Sequence, residues 1–347
     1  MSSIREVAKE AGVSIATVSR VLNGHSSVNP ELRAKVLRAA NACEYQRTVG
    51  KRTADRVAVI YTGPFFVGSP YDSACLEGAV NAMRRSPYDL DIVDLHRDRQ
   101  EGESLRQFFS RKGICGAIVR SIMEHRHMLD EFADEGLPVV VLGDHFDHPK
   151  LNFCFADSKP ASRDAVEHLV SLGHKDIGFV SCDRDDGDHY DRLTAYREVL
   201  ESAGLYREDF VYRVPPHRLD GGPLIRRILS KRERPTALFV ADPMVAVGIL
   251  NESHMHGVRV PGDLSIVTID DLDTRNMVYP KLSAVCQDSR RIGEMAFEIV
   301  CRMINGEDVR SLTDWPQEAW FELNDSTAPP PETVDRFLPG DRMASPR

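Results

Sequence analysis

The chain has 347 residues with 44 Lys and Arg against 53 Asp and Glu, enough length for two or three folded units. An apolar share of 42% with 28% charged residues excludes disordered and collagen-like classes. The longest apolar stretch, around 236–250, is interrupted by Asp242 and Pro243 and falls short of the roughly 20 residues that cross a bilayer, so no membrane association is expected.

Charge is unevenly placed. Residues 1–53 carry nine Lys and Arg against four Glu, a net +5, which leaves −14 on the remainder. A small basic head on an acidic body suits a polyanion-binding unit attached to a soluble regulatory one. The opening segment, with Glu6 and Glu10 where a signal peptide needs an apolar core, predicts a cytoplasmic protein. Seven cysteines, none in a CxxC pair, predict buried reduced thiols rather than a disulfide framework or a metal site.

In chain order, Ser3 with Glu6 three positions on forms a capping-box signature for a first helix, which Gly12 ends. Ser14 caps a second helix over 15–22, and Asn29 with Pro30 starts a third that runs to about Tyr45. From Arg56 the grammar changes to apolar runs such as VAVIY, PVVVL and TALFVA alternating with amphipathic helical segments. Strands are expected at 57–61, 90–95, 116–120, 139–142, 177–181, 237–241 and 264–269, in parallel sheets covered on both faces. About 270 residues is long for one such sheet, which predicts two doubly wound α/β subdomains. The Pro- and Arg-rich stretch 331–347 is expected to be disordered.

The segment GVSIATVSRVLNG carries the most specific signal. Gly12-Val13-Ser14 reads as the tight turn of a helix-turn-helix, with Val13, Val18 and Val21 inward and Ile15, Ala16, Thr17, Ser19 and Arg20 facing DNA. DRDDGD at 183–188 lacks the Gly and Glu spacing of a calcium loop and reads as a solvated loop at the mouth of the body's cleft. The pairs His125/His127, His145/His148 and His254/His256 each lack a third ligand, so no metal is expected. No nucleotide-binding or hydrolase pattern appears, and neither a cofactor nor an enzymatic activity is expected.

These residues resemble the lactose-repressor/galactose-repressor family of bacterial transcription regulators. The resemblance is carried by IREVAKEAGVSIATVSRVLNG, by Val28 to Glu31, by HLVSLGHKDIGFVS, by SIVTIDDLD and by the closing STAPP, so it spans nearly the whole chain. It implies a helix-turn-helix head over 1–46, a linker over 47–56 and a periplasmic-binding-protein-like body over 57–330. The body would comprise an N-subdomain of about 57–157 plus 285–330 and a C-subdomain of about 158–284, each Rossmann-like. The head would dock its second helix in the major groove as half of a homodimer on a pseudo-palindromic operator. Ile15 and Ala16 would touch base edges and Arg20 would pair with guanine, while Ser14, Thr17, Ser19 and Asn29 would hold phosphates.

The resemblance also implies a small sugar-like effector in the cleft, held by Tyr71, Asp72, Asp157, Arg192, Asp242 and Asp270. Carboxylates accept from vicinal hydroxyls and a guanidinium donates in a fork. Two departures stand out. The linker QRTVGKRTADR is short, lacks a Leu and contains Gly50, so no standard hinge helix is expected. Asp242-Pro243 replaces the usual Asn-Asp, exchanging an amide for a carboxylate and favouring a neutral or cationic ligand over a phosphorylated one.

Overall fold

The computed structural model describes residues 3–22, 28–43, 45, 55–63, 67–182, 186–215, 218–309 and 316–332. The expected linker over 47–56 and the tail over 331–347 fall largely outside these residues. The head consists of α1 (Ile4–Glu10), α2 (Ile15–Leu22) and α3 (Pro30–Ala42). Ser3 and Glu6 close the capping box at the start of α1. At its end the Val13 N–H reaches back to the Ala8 carbonyl and the Gly12 N–H to that of Lys9. That motif needs a left-handed residue, and Gly12 supplies it with φ +62°. Asn29 caps α3 by accepting from the Glu31 N–H at 2.8 Å, with Pro30 in the first turn. Val7, Val18, Val21, Val36 and Leu37 form the head's core.

The first body sheet contains β1 (Arg56–Tyr61), β2 (Asp89–Asp94), β3 (Ile114–Arg120), β4 (Val139–Leu142) and β5 (Asn152–Cys154). All pair in parallel, in the order β2-β1-β3-β4-β5. The intervening helices are α4 (Pro70–Met83), α5 (Leu95–Asp98), α6 (Leu105–Lys112) and α7 (Arg126–Asp134). The second sheet contains β6 (Ala156–Asp157), β7 (Ile177–Cys182), β8 (Val211–Val214), β9 (Ala237–Val240), β10 (Ser265–Asp270), β11 (Ser283–Gln287) and β12 (Gln317–Glu322). Its order is β6-β12-β11-β10-β9-β7-β8, with only the β11–β12 pairing antiparallel. Its helices are α8 (Lys159–Ser171), α9 (Gly187–Ser202), α10 (Arg218–Leu229) and α11 (Pro243–Met255).

A last helix, α12 (Ser289–Ile304), returns to the first subdomain, where Ile292, Ala296, Phe297 and Val300 join the core under β1, β3 and β4. Gly293 and Gly78 make this return possible, because a Cβ on either would collide with backbone of the facing helix, at Cys75 and Arg290 respectively. The chain then leaves again. β12 joins the second sheet, and the STAPP segment is tied to β10 by Ser326 and Ala328. The expected assignment of 285–330 to the N-subdomain is therefore corrected: α12 and the residues just after it, with Val309 in the core, pack there, whereas β11, β12 and residues 326–328 belong to the C-subdomain. The cause is that β12 finds its partner in β11, laid down just before α12 crosses over.

Candidate functional site: a two-sided cleft and an exposed helix

Helix α2 stands with its apolar side, Val18 and Val21, fully buried and its other side turned to solvent. Ile15, Ala16 and Arg20 are exposed, and Ile15 keeps 46% of its surface accessible although it is a large aliphatic residue. Ser14 Oγ accepts the Thr17 N–H at 3.1 Å and lies 2.9 Å from Thr17 Oγ1, so the two hydroxyls form one polar knot at the helix start. Thr17 and Ser19 are half-buried, and Asn29 is exposed at the start of α3 with its carbonyl engaged in capping. The head meets the body through Arg33, which donates to Gln100 at 3.1 Å, and Asn41, which donates to the Gly102 carbonyl. A groove of about 660 Å³ beside this contact is lined mainly by apolar side chains such as Val21, Leu37 and Phe109.

The polar site lies elsewhere, between the carboxyl ends of the two sheets, as expected for ligands on open α/β folds. Strand β3 ends in Arg120, which is buried and donates to the Leu142 carbonyl at 2.8 Å and to Asp72 Oδ1 at 3.0 Å. Asp72, in the first turn of α4, also accepts from Ser69 Oγ at 2.8 Å. The Arg120 guanidinium lies 4.8 Å from the centre of the Tyr71 ring, a cation–π contact. From the opposite side, α9 contributes Asp186 as its cap, followed by Asp188, His189 and Arg192. The start of α11 contributes Asp242, whose Oδ1 accepts the Val245 N–H at 2.8 Å. Asp271 and Gln287 complete the wall, with Gln287 donating to Asp271 at 2.6 Å. These groups enclose about 100 Å³, well below the roughly 300 Å³ at which ligand pockets begin. The two subdomains are therefore drawn together.

Electrostatics in the cleft follow from burial and pairing. Burial opposes the charge on Asp186, but the His189 imidazolium and Arg120 outweigh it and hold that carboxyl well below the usual range. Asp188 is different: burial lifts its pKa, and its cations, His145 and Arg192, are 3.6 and 3.8 Å away and only partly offset the cost. Burial likewise raises Asp271 to about 6. The Tyr71 hydroxyl, Asp188 Oδ1 and Gln287 Oε1 are buried with no hydrogen-bond partner among the described residues.

Of the six effector residues expected from sequence, Tyr71, Asp72, Arg192 and Asp242 line this cleft and two do not. Asp270 is a structural residue: it accepts from the backbone N–H groups of Thr274 and Arg275 and pairs with the Arg275 guanidinium at 2.7 Å. Its neighbour Asp271 faces the cleft instead. Asp157 sits at the crossover in β6 and accepts from the Lys159 N–H at 3.2 Å. Sequence reasoning missed Arg120, Asp186, Asp188, His189, Asp271 and Gln287. The expectation of a solvated loop at 183–188 is corrected for the described part, since Asp186 and Asp188 are buried in the first turn of α9.

Taken together, a helix-turn-helix head and a two-subdomain ligand-binding body define a ligand-responsive DNA-binding regulator. The chain matches the bacterial regulatory proteins of the lacI family over residues 3–48 and the periplasmic binding protein-like domain over 166–317. It is 28% identical to catabolite control protein A of Priestia megaterium over 316 residues, covering 89% of this chain and 94% of the relative. With the ribose operon repressor of Haemophilus influenzae it shares 26% identity over 320 residues, covering 90% and 95%. Its fold is that of the lac repressor dimer bound to operator, with a TM-score of 0.68 at 21% identity over 94% of this chain and 99% of that one. The solved structure of the transcriptional regulator CelR–cellobiose complex gives a TM-score of 0.67 at 23% identity, covering 94% of this chain and 100% of that one. The head is thus that of the bacterial regulatory proteins of the lacI family, and the body is periplasmic-binding-protein-like.

Proposed function

We propose that this protein is a homodimeric repressor, working in the cytoplasm on a pseudo-palindromic operator, whose DNA affinity is set by a small sugar-like effector in the inter-subdomain cleft. The observation that carries the reading is the cleft itself. Asp72 and Arg120 come from the first subdomain, Asp188, Arg192 and Asp242 from the second, all on the chain that bears the head. A polyol held between them would make the relative placement of the subdomains depend on the ligand. By linkage, effector and operator affinities would then change by the same factor.

Relatives named for ribose and for catabolite control, and a similar structure solved as a cellobiose complex, support a carbohydrate effector. Ser14, Ile15, Ala16, Thr17, Ser19, Arg20 and Asn29 form the proposed DNA surface. Exposed Met255, Met277 and Tyr279, each more than 70% accessible, support self-association through the second subdomain. The cleft is proposed to bind rather than to catalyse: Asp72 and Asp186 are already committed to ion pairs and Asp242 to a helix cap. The test is fluorescence anisotropy of the purified protein on its own upstream DNA, with and without a panel of sugars. Binding that one sugar weakens or strengthens supports the reading; identical binding to specific and random DNA under every condition overturns it.

A further inference from the structure

We propose that the effector is a polyhydroxylated molecule bearing a protonated amine, of the amino-sugar or aminocyclitol class, whose ammonium group is received by Asp188 with Asp242 nearby in the same cleft. This rests on the reading of the cleft as the effector site and narrows it.

The first argument is charge. Five carboxylates line the cleft (Asp72, Asp186, Asp188, Asp242 and Asp271), facing two guanidinia and one imidazole. Two pairs are closed: Asp72 with Arg120 at 3.0 Å and Asp186 with His189 at 2.7 Å. Arg192 spends its Nε on Ser158 Oγ at 3.3 Å and stays 3.8 Å from Asp188, beyond hydrogen-bonding distance. Asp242 and Asp271 make no ion pair among the described residues. His145, 3.6 Å from Asp188 and 3.0 Å from Asp191, is shared between those two carboxylates, so the cleft keeps two negative charges in excess, in a site where burial already lifts the pKa of Asp188 and Asp271.

The second argument is hydrogen bonding. Asp188 and Gln287, both over nine-tenths buried, line the cleft with Oδ1 and Oε1 lacking hydrogen-bond partners. An ionised carboxylate oxygen and an amide oxygen only accept, so these two atoms call for donors that neither His145 Nδ1, 3.6 Å from Asp188 Oδ1, nor the unpartnered Tyr71 hydroxyl supplies within hydrogen-bonding distance. An ammonium offers three donors and no acceptor, together with the missing positive charge. A neutral sugar would satisfy the acceptors but leave the charge. A phosphorylated one would add to it.

Matched ligands separate these cases. The full-length protein is titrated calorimetrically with glucose, glucosamine and N-acetylglucosamine, and with the corresponding galactose series, at about pH 6.5, where an amine is protonated. The expected result is one series in which the free amine binds at least about tenfold tighter than both its neutral partners. Asp188→Asn is expected to abolish that preference. Should this variant fail to fold, Asp242→Asn, which retains an oxygen for capping the Val245 N–H, supplies the same readout. A neutral member binding as tightly as its amine overturns the ammonium and leaves the sugar effector standing. Binding by no member of either series overturns both. An amine preference that survives in both variants overturns the assignment to these two carboxylates.

Discussion

His145, on the loop after β4, places its Nε2 3.0 Å from Asp191 Oδ2 on α9, so an imidazole of the first subdomain grips a carboxylate of the second. The ring stacks on Phe155 at 4.0 Å, and a second link runs beside it, where the Gly187 N–H donates to Asp144 Oδ1 at 2.8 Å. Asp144 is itself paired with Arg126, so the charges facing His145 are Asp188 and Asp191 from α9. Burial disfavours the imidazolium, yet these two carboxylates outweigh it and raise the pKa to about 10 from an ordinary 6.5.

Because that pKa is raised in the drawn-together arrangement, the stabilisation it contributes is complete below about pH 6.5 and is lost as pH climbs toward 10. The raised pKa of Asp188 has the same sign but acts in a lower window, from the ordinary carboxylate range upward, so the alkaline dependence rests on His145. Closure is therefore expected to weaken from pH 6.5 to 9.5. Small-angle scattering would show a growing radius of gyration over that range for the natural protein and a flat profile for His145→Gln. An unchanged radius in the natural protein would refute the latch.

Arg20 presents the next prediction. It stands exposed on α2, one turn beyond Ile15 and Ala16, on the side opposite the buried Val18 and Val21. Arg20→Ala is expected to cost about 1–3 kcal/mol of specific operator binding and to leave random-DNA binding nearly intact. Anisotropy on both DNAs checks it; equal losses would make Arg20 a phosphate contact instead.

Asp270 and Arg192 can be told apart by experiment. Asp270→Ala strips a fully buried carboxylate from Arg275, which keeps Glu322 and Asp273 as partners. The expected cost is about 3 kcal/mol of stability, the low end for breaking a buried pair, with effector affinity per folded molecule preserved. Arg192→Ala should do the reverse, abolishing the effector's influence on DNA binding while operator affinity persists. Chemical denaturation and effector titration on both variants give the two readouts. Effector loss in Asp270→Ala at full stability would return that residue to the cleft.

The contrast between Asp270 and Asp271 shows where the sequence becomes hard to read. Successive side chains at a strand's end point to opposite faces, so a shift of one position in SIVTIDDLD selects a structural residue in place of a cleft residue. Helix starts pose a similar difficulty. Apolar periodicity marks the later turns of α9, but the helix begins at Gly187, and the polar first turn that carries Asp188 has no periodic signature. Six of the seven expected strands were legible because burial on both faces makes them continuous; the seventh, β2, is an edge strand in which only Val93 is buried. β12, with the sequence QEAWFE and alternating exposure, lacks that run and is fixed by its pairing with β11. Arg120 lay within an expected strand, but its role depends on Asp72, 48 residues earlier, and so on tertiary contact.

Gly293 carries the last prediction. It lies where α12 crosses α4, and a Cβ there would meet the Cys75 carbonyl carbon and oxygen. Those atoms are helix backbone and cannot rotate aside as a side-chain tip can, so the helices must separate. Separation would open the core that Ile292, Ala296 and Phe297 fill together with Cys75 and Ala79. Gly293→Ala is therefore expected to destabilise the protein by about 3 kcal/mol, the upper part of the range for overpacking, despite the better helix propensity of alanine. Thermal unfolding would register the loss. A melting temperature equal to or above that of the natural protein would mean that the two helices have room to part, and that their close approach is not required to hold α12 on the first subdomain.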